Sequence, residues 1–283
     1  KFLLHFSIVY VCISATMYFT LSIAVVIFEE LNKNRTEPRQ TLYPVEYHID
    51  SEKYFYLITA HCYASTVLLL LQTVVHDTMY IVLVQHGCAL FAVTGQVYCL
   101  KGAHCLDSKG LLKDDDFEQY KNRCYTLSEQ KKIYQRLVLG IKEHKRAIEY
   151  TKLLHAVFSE CLFIVLMLNI ISLSINGVQA LINLHEIQTS IRLILWEIGL
   201  FIHLFWLCLP GQRLTDFSER VYYDVLNCLW YTFYSISHVL YRFLIMNTLK
   251  PCELIALKII PLNMETFLSV YIIMNHRISL LTH

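Results

Sequence analysis

The sequence predicts an all-α, polytopic membrane bundle whose helices extend beyond the bilayer. Three observations carry this reading. Apolar runs recur at lengths that cross a hydrocarbon core, for which about 20 helical residues are needed. Charged residues make up only 17% of the 283-residue chain, against 55% hydrophobic, where soluble domains average roughly 25% charged. The charges that do occur are gathered into a few stretches, leaving long intervals with none.

The first run, Leu3–Phe28, holds no Asp, Glu, Lys or Arg and predicts a span over about 3–28. A polar loop with Pro38 and Pro44 follows. The second run, Tyr54–Leu100, is too long for one crossing. His76-Asp77 interrupts it without a Gly or Pro turn, so it reads as one helix that spans at about 56–80 and continues as a stem to 100. Two crossings are the alternative. Residues 101–155 are the most charged stretch and include Asp114-Asp115-Asp116. Within it Ile133, Leu137, Ile141 and Ile148 share a helical face among Lys, Arg and Glu. That helix is expected to run straight into a third span at about 156–182. The short connection Asn183–Thr189 makes the fourth span, about 191–209, its antiparallel neighbour.

Cys208-Leu-Pro-Gly-Gln is expected to close the fourth span. Residues 210–252 read as a second segment outside the membrane. In it an amphipathic helix, Leu214–Tyr241, repeats Val221, Val225, Leu229 and Phe233 at i, i+4, and Pro251 ends the continuation. The last run predicts a span over about 256–281. Basic residues favour the cytoplasmic side of short loops. With the first residue inside, 18 of the 24 Lys and Arg fall on the inner side. This gives a cytoplasmic start and an extracellular C-terminus, opposite to a G-protein-coupled receptor. Asn34-Arg35-Thr36, a candidate glycosylation sequon, lies in a loop placed outside.

Several function classes are excluded. A net charge of +1 offers no field for nucleic acid. The ten cysteines include no C-x-x-C pair and read as buried or lipid-facing thiols. Thirteen histidines show no metal spacing, so no metal or cofactor is expected. No hydrolase, metalloprotease, P-loop or dinucleotide signature occurs, so the chain is not expected to be an enzyme. It starts at Lys1, directly before an apolar run, which reads as a chain cut from a longer precursor.

Two stretches in the second half resemble the insect odorant receptor family. Cys208-Leu-Pro-Gly211-Gln-Arg-Leu214 with Ser218 and Trp230-Tyr231 is similar to the end of that family's sixth helix. Lys250-Pro251-Cys-Glu-Leu254, then Ala256-Leu-Lys258-Ile-Ile-Pro261-Leu-Asn-Met-Glu-Thr266-Phe267, resembles the entry to its seventh. Pro44 before Tyr54-Phe55-Tyr56, and Glu143-His144, match more weakly. The resemblance makes the five spans helices three to seven of a seven-helix receptor, with the first two absent. Met274-Asn-His-Arg-Ile-Ser279 departs from the Ser-Tyr-Ser-Tyr-like run of the family.

The resemblance implies a ligand-tuning subunit of a ligand-gated cation channel, joined to a shared co-receptor in a heterotetramer. It implies a place in the plasma membrane of olfactory sensory neurons and a small, volatile, hydrophobic ligand. Segments 101–155 and 210–252 would be the cytoplasmic anchor that holds subunits together. The ligand pocket would lie in the outer half of the bundle, with Tyr18, Ser22, Cys62, Tyr63, Thr66, Ile194 and Trp196 as candidates, each weighed against plain helix packing. Tyr271, Asn275 and Ser279, spaced by four, form a polar stripe that would line the pore or bond a neighbouring helix. Arg277 is read as snorkelling to the outer surface. His76-Asp77 reads as a solvated or anchor contact on a helix that has already left the membrane, over an intramembrane functional pair; Glu160 and Glu197 raise the same question, with structural pairing as the default. Other readings are a gustatory-type chemoreceptor channel and a small-molecule transporter. The latter lacks the paired broken helices expected of two repeats.

Overall fold

The computed structural model describes residues 45–50, 53–98, 126–182, 187–228 and 230–282. The expected first span and Asn34 lie outside these residues. The chain divides into two compact units, residues 1–82 and 83–283, taken in turn.

In the first unit, helix α1 begins at Phe55. Its whole extent is Phe55–Tyr98, 44 residues without a break. His76-Asp77 therefore interrupts the hydropathy but not the helix. The two side chains pair at 3.5 Å. Phe55, Ile58 and Cys62 are buried, whereas Leu57, Leu68, Leu69, Leu71 and Val75 point outward. An aliphatic outer face is the surface a lipid environment demands. Thr66 and Thr73 each donate a hydroxyl to the carbonyl four residues earlier, which satisfies their polarity inside the helix.

The second unit is built on α2, Leu127–Ile182, 56 residues long. Its start is a capping box: the Glu129 carboxylate accepts from the Thr126 N–H at 2.7 Å, and the Thr126 hydroxyl accepts from the Glu129 N–H at 3.4 Å. One buried seam runs its length, from Ile133, Leu137 and Ala147 through Leu154, Leu162 and Leu166 to Leu173 and Gly177. The opposite face changes character. Lys142, Lys145, Arg146, Glu149 and Lys152 are exposed or half-exposed on the first part; Val157, Ile164, Leu168, Ile171 and Ile175 are exposed on the second. The constant inner seam reflects packing, and the outer face switches near residue 155 from charged to aliphatic side chains.

Helix α3, Ile187–Leu226, contains Pro210. This differs from the sequence expectation of a helix closed at 209. Pro210 removes only the N–H that would bond the Trp206 carbonyl, and the neighbouring turns bridge the gap. The expected amphipathic helix over 214–241 is instead divided. A short 3-10 turn, Trp230–Thr232, separates α3 from α4, Ser235–Thr248. The break folds aromatic rings together: Trp230 stacks on Tyr241 at 6.0 Å, and Phe233 meets the same ring edge-on at 6.1 Å. A straight helix would leave these rings apart.

The expected final helix over 256–281 begins later. Ile255–Ala256 (β1) and Ile260–Pro261 (β2) pair antiparallel as a minimal hairpin, and α5 runs Met264–Thr282. The turn holds Leu257 and Lys258 at φ 47° and 59°, the left-handed region that costs a non-glycine residue of order 1–3 kcal/mol. The Asn263 side chain caps α5 by accepting the Thr266 N–H at 2.9 Å. Three described helices, α1, α2 and α3, are long and apolar enough to cross a membrane.

Candidate functional site

The site is assembled where α2, α3 and α5 meet, above the hairpin. Ser159 of α2 clamps the hairpin. Its hydroxyl accepts the Leu257 N–H at 2.8 Å and donates to the Ile255 carbonyl at 3.1 Å. Gln212 of α3 accepts the Met264 N–H at 3.2 Å, and Ser218 accepts the Cys252 N–H at 2.9 Å. The Thr266 hydroxyl donates to the Pro261 carbonyl at 2.6 Å. At Gly211 the α3 backbone passes so close to the Leu262 carbonyl that a side chain has no room. The start of α5 is thus fixed to two other helices by backbone-directed bonds.

From that base α5 runs against α3. Phe267 meets Phe205 edge-on at 5.6 Å, and Tyr271 meets Phe201 at 5.8 Å. The ladder ends beside Gly177. A methyl group at Gly177 would touch both Glu197 Oε1 and Met274 Cε, each at 3.8 Å. Ser174 donates weakly to the Met274 sulfur at 3.8 Å. Both Glu197 carboxylate oxygens are shut off from solvent with no hydrogen-bond partner among the described residues. The pairing expected by default is therefore not seen there. Deeper in the same seam, Asn169 donates to His203 Nδ1 at 2.9 Å and to the Leu200 carbonyl at 3.4 Å.

The sequence-derived pocket residues divide between the two units. Tyr18 and Ser22 lie outside the described residues. In the first unit Cys62 is fully buried, Tyr63 is half-buried, and Thr66 bonds back to the Cys62 carbonyl at 2.8 Å. In the second, Ile194 and Trp196 are exposed at 48% and 45%. Tyr271 and Asn275 are both exposed on α5; Ser279 belongs to the same helix. Sequence reasoning missed Ser159, Asn169, Ser174 and Gly177. Asn169 was open to notice as the one amide amid Phe163–Ile171; the rest needed the fold.

In the charged part of α2, below the switch near residue 155, His144 is 5% exposed, edge-on to Phe91 at 6.2 Å. Burial holds its ring below the usual 6.5, partly offset by the Asn247 carbonyl. Burial likewise pushes the Tyr241 phenol up to about 12, with Cys228 and Tyr222 adding to the shift. Both groups are neutral at physiological pH. No group of three or more metal-ligating side chains occurs among the described residues.

A family model described as 7tm Odorant receptor matches residues 2–272. No curated protein matches the sequence. Among solved structures, the insect olfactory receptor OR5 from Machilis hrabei in complex with eugenol is similar at 11% identity with a TM-score of 0.67. It covers 100% of this chain and 65% of that one. A second structure of the same receptor is similar at 10% identity and a TM-score of 0.70, covering 99% and 66%. At such identities the likeness is one of fold. The chain spans about two-thirds of the length of those receptors.

Proposed function

The chain belongs to the 7tm odorant receptor family, and from that premise we propose that it is the odorant-binding subunit of a ligand-gated cation channel, assembled with a shared co-receptor. The observation that carries this reading is the outward face of α5. Tyr271 and Asn275 are exposed there beside Leu268, Ile272 and Ile273, whereas α2 exposes the aliphatic Ile164, Leu168, Ile171 and Ile175. Polar groups facing hydrocarbon cost several kcal/mol each unless satisfied, so this stripe calls for water or another protein. A pore built from α5 of several subunits supplies water, with Tyr271, Asn275 and Ser279 along its wall.

Two further features support assembly. Helix α4 exposes Ile236, Val239, Phe243 and Met246 on one side. It lies in a segment too charged for the bilayer, so this stripe suits another subunit in a cytoplasmic anchor. The distribution of basic residues supports an anchor inside the cell and the end of α5 outside; membership of the family supports the plasma membrane of an olfactory sensory neuron. The ligand would be a small apolar volatile. Tyr18, Ser22, Cys62, Tyr63, Thr66, Ile194 and Trp196 remain proposed pocket residues.

The test uses the full-length parent chain, expressed with and without the co-receptor, and records odour-evoked cation currents. Currents are expected only with the partner; currents without it overturn the tuning-subunit reading. Asn275→Leu is expected to change conductance or ion selectivity. A change confined to surface expression would assign the stripe to helix packing instead. A C-terminal tag should stain intact cells; staining only after permeabilisation would reverse the orientation.

A further inference from the structure

We propose that Ser174, Gly177, Glu197 and Met274 form a closed recognition site for a small apolar molecule carrying a protonated amine. The inference rests on the odorant-binding reading and specifies one ligand class for it. Buried polar groups are nearly always hydrogen-bonded, yet both Glu197 oxygens are out of solvent and unpartnered among the described residues. An ionised carboxylate offers about four acceptor positions, and a charge at membrane depth is costly unless it is paired. A residue with that cost and no hydrogen-bond partner among the described residues is poised for an external one.

The surroundings define the partner. α2 presents Gly177, which leaves a methyl-sized notch beside Oε1, and Ser174, one turn away, whose oxygen is a spare acceptor. α5 presents Met274, 3% exposed, an unbranched and adaptable side chain that can swing aside. Acceptors at one end with the Met274 thioether beside them fit an ammonium on an apolar body. An ammonium has three donors and no acceptor, so Glu197 and Ser174 together satisfy it. An alcohol of the same shape brings a single donor and no charge. Because Met274 neighbours Tyr271 and Asn275 on α5, displacing it would act directly on the helix proposed to line the pore.

The experiment uses the full-length receptor in nanodiscs with the co-receptor. Thermal stabilisation is measured with paired probes, such as phenethylamine and 2-phenylethanol, and a series of alkylamines with their alcohols. At least one amine is expected to bind roughly tenfold or more tightly than its alcohol, the scale of a charge-assisted bond. Glu197→Gln should remove that preference, bringing amine binding down to the level of the paired alcohol. Gly177→Ala tests the same site without touching the acid, because the added methyl makes only ordinary contacts; it should weaken amine binding by filling the notch. Equal binding of amine and alcohol across the series, or a preference that survives both substitutions, overturns the proposal. Binding with these properties but without evoked current would keep the site and count against the channel reading.

Discussion

Gly211→Ala isolates the contact on which the placement of α5 depends. Two effects of opposite sign compete. In a helix interior alanine is better than glycine by about 1 kcal/mol, so α3 taken alone would gain stability. In the folded chain the new Cβ would sit 3.0 Å from the Leu262 carbonyl carbon and 3.1 Å from Leu262 Cβ, and closer still to the carbonyl oxygen. These atoms cannot rotate away, because they belong to the hairpin backbone. The hairpin in turn is held by Leu262 N–H to the Leu254 carbonyl at 2.8 Å and by Ser159. Overpacking of a fixed neighbour costs typically 1–3 kcal/mol and occasionally more. The clash involves backbone on both sides, so the upper end applies and the sum is a loss of about 1–2 kcal/mol or more. Thermal unfolding of the solubilised full-length receptor, followed by fluorescence-detected size exclusion, should show a lower apparent Tm by several degrees. Leu262→Ala combined with it should not restore stability, because the carbonyl remains. A Tm equal to or above that of the unmodified protein would show that the hairpin yields freely, and would refute the close-packed base of α5.

Three other outcomes follow from the same contacts. Ser159→Ala removes the hydroxyl that accepts the Leu257 N–H and donates to the Ile255 carbonyl, while the Ser159 backbone carbonyl at 3.3 Å stays as an acceptor, for a loss of about 0.5–1.5 kcal/mol in the same unfolding assay; Ser159→Cys should recover only part. His144 stays neutral in the fold, where its unfolded counterpart takes a proton near 6.5. Its contribution is therefore complete above pH 6.5 and declines as the pH falls below that value. His144→Leu should show a smaller drop in Tm between pH 7.5 and 5.5; an unchanged slope would remove His144 as a cause. Gly95→Ala would push against Asp224 Oδ2, the tip of a side chain that can turn aside. Its effect on Tm should be smaller than that of Gly211→Ala, and a larger effect would contradict the assignment of Gly211 as the tighter site.

The legible and illegible parts of this chain separate by physical range. The α2 face was read from Ile133, Leu137, Ile141 and Ile148, yet burial follows Ile133, Leu137, Gly140, His144 and Ala147. The seam stays straight in space while the 3.6-residue period drifts across the sequence, so glycine and histidine enter positions that hydropathy assigned to isoleucine. Pro210 was read as a stop because its local effect is unfavourable; the helix nonetheless continues through it to Leu226. Leu257-Lys258 carries no turn signal, since neither residue favours positive φ. Its conformation depends on Ser159, 98 residues earlier. Glu197 was noticed as an acid in an apolar run, but its lack of a described partner became visible only once α2 and α5 were placed around it.

The sequence by itself determined the environment of each segment. Solvation is summed residue by residue, so long apolar runs and gathered charges mark helix and membrane without knowledge of any contact. Only the tertiary structure decided where those helices bend, break and meet. Those choices turn on single carbonyls, hydroxyls and missing Cβ atoms supplied by residues distant in the chain, and no local pattern records which of them will come together.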